Sequence, residues 1–247
     1  MQFRENLWGY GKRLQFVEAA VQRELPGKRK AEIRVLDVGC GNGSQLAIPL
    51  ADAGYQVTGV DPHQPSIERG CSQGSKVRFI CGSVSDVIPN DFDCVIISEV
   101  LEHLSSPEQL LAAALAYTGT TGLLIVTVPN GYGEFELDRR LYNALKAQRF
   151  VDWLRPILRG NDPIECLAGS DDHSPHVQTF TLSGLRKMYD RHRLIVIESR
   201  GTSLVSGPFV AHLFGKSDFF IRINAAAADH LPMILVAGWM FALKRAR

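Results

Sequence analysis

At 247 residues the chain is long enough to bury a full core, and we expect one domain spanning residues 1–247. Its 27 Lys and Arg against 26 Asp and Glu leave almost no net charge, which argues against a general affinity for nucleic acid. The longest apolar run, Leu231 to Leu243, is shorter than the roughly 20 residues of a spanning helix; the opening "MQFRENLWGYGKRL" has charges where an export signal needs an apolar core; and five cysteines without a CxxC fit reduced thiols in a cytoplasmic protein.

After the "WGYG" segment, Leu14, Val17, Ala20, Val21 and Leu25 recur at helical spacing, and Pro26-Gly27 ends that helix. From Ile33 apolar strand-like runs alternate with helical patterns: "IRVLDV", "SQLAIPLADAG", "QVTGV", "PSIERGCS" and "VRFICG". The alternation continues through the strand "FDCVIIS", the helix "SPEQLLAAALAYT" with Ser106 as its cap before Pro107, and the strand "GLLIVTVP". This order predicts βαβ units and an α/β class fold with a doubly wound, mostly parallel sheet. Across residues 131–175 the alternation fails, and that segment reads as a lid or acceptor-binding insertion over the sheet's C-terminal edge, where open α/β sheets bind ligands. It resumes with the helix "TLSGLRKMYDRH" and the strand "RLIVIES". The closing "MILVAGWMFALKR" reads as a further strand, with a buried helix as the alternative, because periodicity does not separate the two in short apolar runs. "KSDFFIRINAAAADHLP" is read as a helix packed on the sheet or in a subunit contact, in preference to a membrane-touching helix. The basic run "GKRKAEIR" is read as a solvated linker.

The stretch "IRVLDVGCGNG", Ile33 to Gly43, carries the most chemistry. Asp37 closes the first strand, and Gly39, Gly41 and Gly43 form a turn into a helix expected to begin near Ser44. Glycines there let a ligand lie on the backbone, and the helix N-terminus offers N–H groups to an anion. A dinucleotide fingerprint would be GxGxxG, but its third small residue falls on Ser44. Asp37 would repel a pyrophosphate and attract an ammonium group, so a ligand with both an amine and a carboxylate suits the loop. The pattern of Asp37, Gly39, Cys40, Gly41 and Gly43 resembles the cofactor loop of class I S-adenosylmethionine-dependent methyltransferases.

The resemblance implies roles for several further residues. Asp61, at the end of "VTGVD" and followed by Pro62, would accept the ribose hydroxyls, a role shared with NAD enzymes. After the third strand the family usually places an acid behind a glycine to bond the adenine amino group. Here Gly82 is followed by Ser83, so either Ser83 takes that contact with Val84 supplying a backbone N–H, or Asp86 reaches it. Ser98, at the end of the fourth strand, is a further expected cofactor contact. The run "DFDCVIISEVLEHLSSPEQLL" is similar to a segment of the small-molecule branch that includes quinone-biosynthesis O-methyltransferases, and the likeness is strongest from about Ile33 to Asn130.

Methyl transfer from a sulfonium is an in-line displacement that needs alignment and exclusion of water and no metal. An acceptor hydroxyl also benefits from a base. His103 is the first candidate base because an imidazole accepts a proton near neutral pH, with Glu102 and Glu99 as alternatives. In "GSDDHSPHVQTF", Asp171, Asp172, His173 and His176 are read as a solvated loop or substrate contact in preference to a metal site, with His176 the member expected at the pocket. Tyr10, Asn130 and Tyr132 are expected acceptor contacts, within a group of aromatics that includes Trp8, Phe135, Tyr142, Phe150 and Trp153. The reading is methyl transfer to a small-molecule acceptor at a hydroxyl oxygen. Its rivals are N- or C-methylation on the same fold, a non-catalytic cofactor-binding protein, and a nicotinamide-dependent oxidoreductase.

Overall fold

The computed structural model describes residues 5–88, 92–131, 176–207 and 217–246, together with Val210 and Phe214. Its strands are β1 (Arg34–Val38), β2 (Gln56–Asp61), β3 (Arg78–Cys81), β4 (Phe92–Ser98), β5 (Thr118–Pro129), β6 (Leu194–Gly201) and β7 (Gly238–Arg245). They form one seven-stranded sheet in the order β3-β2-β1-β4-β5-β7-β6. The pairs from β3 through β5 are parallel, while β7 runs antiparallel between β5 and β6. The order reverses beside β1, so the crevice at the C-terminal ends of β1 and β4 is where such a sheet opens to a ligand.

The helices are α1 (Tyr10–Glu24), α2 (Ala47–Asp52), α3 (Gln64–Ser72), α4 (Pro107–Ala116), α5 (Leu182–Arg191) and α6 (Asp218–Ala227). Strand side chains alternate between faces, and the two faces carry separate cores. Val35, Cys94, Ile96, Leu123 and Ile125 pack with Phe16, Val17, Ala20 and Val21 of α1 and Ala47 and Leu50 of α2. Leu36, Val38, Val95, Ile97, Leu124 and Val126 pack on the other face with Leu111 and Ala114 of α4 and Leu185, Met188 and Tyr189 of α5. Each fully buried Leu, Ile, Val or Phe contributes about 1.5–3 kcal/mol, so these layers hold the crevice in place.

The same alternation places Asp37, Ser98 and Thr127 on the α1 face, in step with Val35, Ile96 and Ile125. Polar ends on otherwise apolar strands therefore converge beneath the start of α1.

The structure departs from the sequence reading in two places. The helix expected near Ser44 begins at Ala47, because turns occupy residues 41–46 and Asn42 Oδ1 accepts the N–H of Ser44. Only a six-residue helix follows the glycine loop, so the loop's own N–H groups are the donors nearest a ligand. Ser106 holds the N-cap position of α4, but its side chain caps nothing. The closing apolar run is the strand β7 after a single 3-10 turn at Met233–Leu235, and the buried-helix alternative is not what forms. Of the expected insertion only Gly131 is described; residues 132–175, which include Tyr132, Phe135, Tyr142, Phe150, Trp153, Asp171, Asp172 and His173, lie outside the described residues.

Candidate active site

The three loop glycines all have positive φ, 76° at Gly39, 55° at Gly41 and 77° at Gly43, but they serve different ends. A Cβ on Gly39 would lie 2.4 Å from Val100 Cγ2, and one on Gly43 would lie 2.7 Å from Phe79 Cζ. Those two glycines let the loop close against its neighbours. Nothing lies within 4 Å of a Cβ built on Gly41, so this is the position that opens to a ligand. Cys40 turns its sulfur toward Gly59 of β2, where burial raises its thiol pKa far above the ordinary value. It is a packing group of the loop and not a nucleophile.

Asp61 ties the loop to the next strand: its Oδ2 accepts the N–H of Gly41 at 2.8 Å and its Oδ1 accepts that of His63 at 2.8 Å. A carboxylate has about four lone-pair sites, so Asp61 keeps acceptor capacity after both bonds. Pro62 lies between these two anchors. Asp37 is 3% exposed, and burial with the nearby Asp61 charge pushes its carboxyl up to about 7, offset in part by Arg13. It stands ready to ionise beside a cation.

At Gly82, Asp86 caps the following turn instead of reaching outward. Its Oδ2 accepts the N–H of Ser83 at 2.8 Å and the Ser83 hydroxyl at 2.9 Å, and these bonds hold the carboxyl below its usual pKa. Ser83 and Val84 thus begin a 3-10 turn, with Val84 buried and Ser83 exposed. Ser83 and Asp86, the two adenine alternatives, are both exposed and bonded to each other.

Across the crevice, β4 ends in a strained residue. Glu99 has φ 56°, in the left-handed region that non-glycine residues avoid. Its N–H donates to the Thr127 carbonyl at 2.9 Å, and its Oε1 accepts the Thr127 hydroxyl at 2.9 Å and meets Arg13 Nη2 at 3.3 Å. Because Thr127 gives its one proton to Glu99, the Ser98 hydroxyl 2.9 Å away donates to Thr127. The Ser98 hydroxyl thus gives its proton inside the fold and keeps only acceptor capacity.

Arg13 is the residue the sequence reading missed. It is 2% exposed, its Nη1 donates to Gln45 Oε1 at 3.4 Å, and its Nε has no hydrogen-bond partner. The available signal was a cation in register with Val17, Ala20 and Val21 on the apolar stripe of α1. Tyr10 lies beside it: the guanidinium sits 5.3 Å from the ring centroid, and the phenol oxygen accepts Gln45 Nε2 at 3.1 Å. Burial raises the Tyr10 pKa. This network places Tyr10 beside Gln45 and Arg13, within reach of the Glu99 charge.

Beyond Glu99 a 3-10 turn spans Leu101–His103. Glu102 is 1% exposed; its Oε1 lies 4.0 Å from His103 Nε2, and its Oε2 has no hydrogen-bond partner. Burial, reinforced by the Glu99 charge, pushes this carboxyl well above its usual pKa. His103 Nδ1 is also buried without a partner, and the His103 ring meets the edge of His176 at 5.1 Å between centroids. One ligand atom from each of Glu102, His103 and His176 lies within 4.8 Å of the others, a set able to hold a metal ion. The sequence reading joined Glu102 and His103 but had no means of bringing His176 to them.

Asn130 follows β5 at the sheet edge that His176 also reaches. Its amide donates to the carbonyls of Ile234 at 3.0 Å and Val236 at 2.9 Å, so both side-chain donors stitch β5 to the segment before β7. A cavity of about 580 Å³, lined in part by Tyr55, Lys76, Arg78 and Phe92, lies at the opposite, N-terminal edge of β2 and β3. It contains none of the groups gathered above, and it is a groove of the fold separate from this site. No described helix is long and apolar enough to cross a membrane.

Comparison with known proteins agrees with this geometry. Residues 10–219 match a family model described as a methyltransferase domain. A ubiquinone biosynthesis O-methyltransferase of Rickettsia canadensis is 30% identical over 105 residues, 40% of this chain and 44% of that protein. One of Rhodopseudomonas palustris is 28% identical over 200 residues, 74% of this chain and 76% of that protein. The matched region thus spans less than half the length of the first of these relatives. Among solved structures, a magnesium protoporphyrin IX methyltransferase from Synechocystis with bound SAH superposes with a TM-score of 0.57 at 14% identity, over 96% of this chain and 86% of that one. An S-adenosylmethionine-dependent methyltransferase from Clostridium acetobutylicum gives 0.58 at 12% identity, over 96% and 92%.

Proposed function

The chain belongs to the methyltransferase-domain family, and from that premise we propose that it transfers a methyl group from S-adenosylmethionine to a hydroxyl oxygen of a small-molecule acceptor. The observation that carries the cofactor half is the open position over Gly41, flanked by Asp61 on one side and by Asp37 and Arg13 on the other. In this reading Asp61 takes the ribose hydroxyls, Asp37 faces the ammonium group, and Arg13, with an unused Nε–H, faces the carboxylate. Ser83 and Val84 border the adenine.

The acceptor oxygen approaches from the side of Leu101–His103. Its lone pair forms the new C–O bond as the C–S pair returns to sulfur, which leaves a neutral thioether. The hydroxyl proton leaves toward the Glu102, His103 and His176 group, with His103 as the first candidate to take it. Burial pushes the Glu102 carboxyl well above its usual pKa, and Glu99 is engaged by Arg13 and Thr127. What the chain supplies is mainly position and exclusion of water.

The test is a screen of small hydroxylated acceptors with S-adenosylmethionine, following S-adenosylhomocysteine release and the mass of the acceptor. A product heavier by one methylene, with its ether confirmed by fragmentation, is the expected result. Cofactor binding without turnover on any acceptor would favour the non-catalytic rival.

A further inference from the structure

We propose that the groove at the N-terminal edge of β2 and β3 is a second ligand site, which takes a small molecule with an apolar body and a carboxylate or phosphate group. It lies at the opposite end of the sheet from the crevice and does not depend on the methyl-transfer reading.

The groove exists because one crossover carries no described helix. The connections from β1 to β2, β2 to β3 and β4 to β5 carry α2, α3 and α4, whereas between β3 and β4 the described residues form only a 3-10 turn at Val84–Asp86. A right-handed crossover from β3 to β4 runs over the face that holds α4. The ladders show which side chains that leaves uncovered. Val60 pairs with Val38 and Ile80, and Thr58 pairs with Leu36 and Arg78, so these residues share the α4 face with Arg34 and Gln56. Val84 and Val87 seal the half of this face nearer the crevice into the core. The other half remains open as a groove of about 580 Å³, within the roughly 300–1,000 Å³ of small-molecule sites.

The lining divides by chemistry. Ile80, Val87 and Ile88 make an apolar wall, and Ile88 is 63% exposed, an aliphatic side chain that the fold leaves in water. Arg34, Lys76 and Arg78 supply cationic groups, and no carboxylate stands among the described lining residues. Asp93, beside Arg34, is already taken: it accepts Lys28 Nζ at 2.5 Å and the N–H of Arg34 at 2.9 Å. Lys76 and Arg78 are exposed and form no ion pair with a described carboxylate. Cations gathered without carboxylates repel one another, and an anion relieves that repulsion through charge-assisted hydrogen bonds. An apolar body joined to that anion would cover Ile88 and the wall behind it. A wholly apolar ligand leaves the cations unused, and a bare anion leaves the wall wet.

The experiment titrates the full-length protein by calorimetry with 1-naphthoate, 1-naphthyl phosphate and 1-naphthol, with and without S-adenosylhomocysteine. One equivalent of an anionic probe should bind, the tighter of the two naming the head group, and neutral 1-naphthol should bind at least about tenfold more weakly. S-adenosylhomocysteine should leave that affinity unchanged, because it belongs at the other end of the sheet. Lys76→Glu combined with Arg78→Glu should weaken the anions at least about tenfold, and so should Ile88→Asp. All three side chains are exposed, so both variants should melt as the wild type does. Saturable binding of neither anion, equal binding of 1-naphthol, or undiminished binding in both variants would overturn the proposal. Competition with S-adenosylhomocysteine would place the probe in the crevice and also overturn it. A self-association that the charge-reversed variant abolishes, found by ultracentrifugation in place of probe binding, would give the face to a second copy and reject the small-molecule site.

Discussion

The two sides of the crevice are built on opposite terms. On the glycine-loop side, two carboxylates are tied into the fold: Asp61 bonds Gly41 and His63, and Asp86 bonds Ser83. On the Leu101–His103 side, Glu102 Oε2 and His103 Nδ1 are buried and unpartnered. A binding surface profits from rigidity set in advance, whereas groups that must exchange protons or hold an ion keep coordination capacity in reserve. On the reading proposed above, the first half holds the cofactor and the second reacts.

His103→Ala breaks the comparison most sharply. Methyl transfer should fall by about 10²–10⁴-fold while cofactor affinity stays, because the histidine belongs to the reacting half. Turnover equal to wild type, measured at saturating acceptor, would remove His103 from the chemistry. Asp61→Ala is the mirror experiment. It deletes an acceptor for the ribose and the tether of Gly41, and S-adenosylhomocysteine binding should weaken about 100-fold by calorimetry, at roughly 1.5–3 kcal/mol for each charge-assisted bond. Unaltered affinity would mean that the second strand edge is not the ribose site.

Asp37 sharpens the contrast through pH. Its folded pKa is raised from 3.8 to about 7, so the unfolded chain ionises it first and the ligand-free protein loses stability as pH rises between those values. Binding an ammonium-bearing ligand favours the ionised form, so affinity should increase on going from pH 6 to pH 8. In Asp37→Asn that increase should vanish, while the unliganded protein melts higher at pH 8 than the wild type. A pH-independent wild-type affinity would contradict the assigned partner.

The smallest effects test the caps outside both halves. Thr181 Oγ1 accepts the Gly184 N–H at 3.0 Å, so Thr181→Ala should cost about 1 kcal/mol in denaturant unfolding. Ser106→Ala should cost only a few tenths, because that side chain caps nothing. Equal losses would show that the α4 start is held by a contact not present here.

Much of the first half was legible in the sequence. Alternation of apolar runs gave the strands, and the spacing of Asp37, Gly39, Gly41 and Gly43 together with Asp61 marks residues that act within one short βαβ unit. Local patterns predict local geometry, and these residues are close in the chain. The second half depends on contacts between distant segments. Nothing in "HVQTF" announces that Val177 and Gln178 bond the Glu102 carbonyl and bring His176 to His103. The partners that hold the Asn130 amide, Ile234 and Val236, are likewise about a hundred residues away. Arg13 was hidden by an apolar stripe in which a cation looks out of place until Glu99 and Gln45 are seen around it.

The most direct test of the central claim is calorimetric titration of the purified protein with S-adenosylmethionine, S-adenosylhomocysteine and NAD, each separately. The account predicts saturable binding of the first two and none of NAD. Binding of NAD alone would contradict it and return the glycine loop to hydride chemistry.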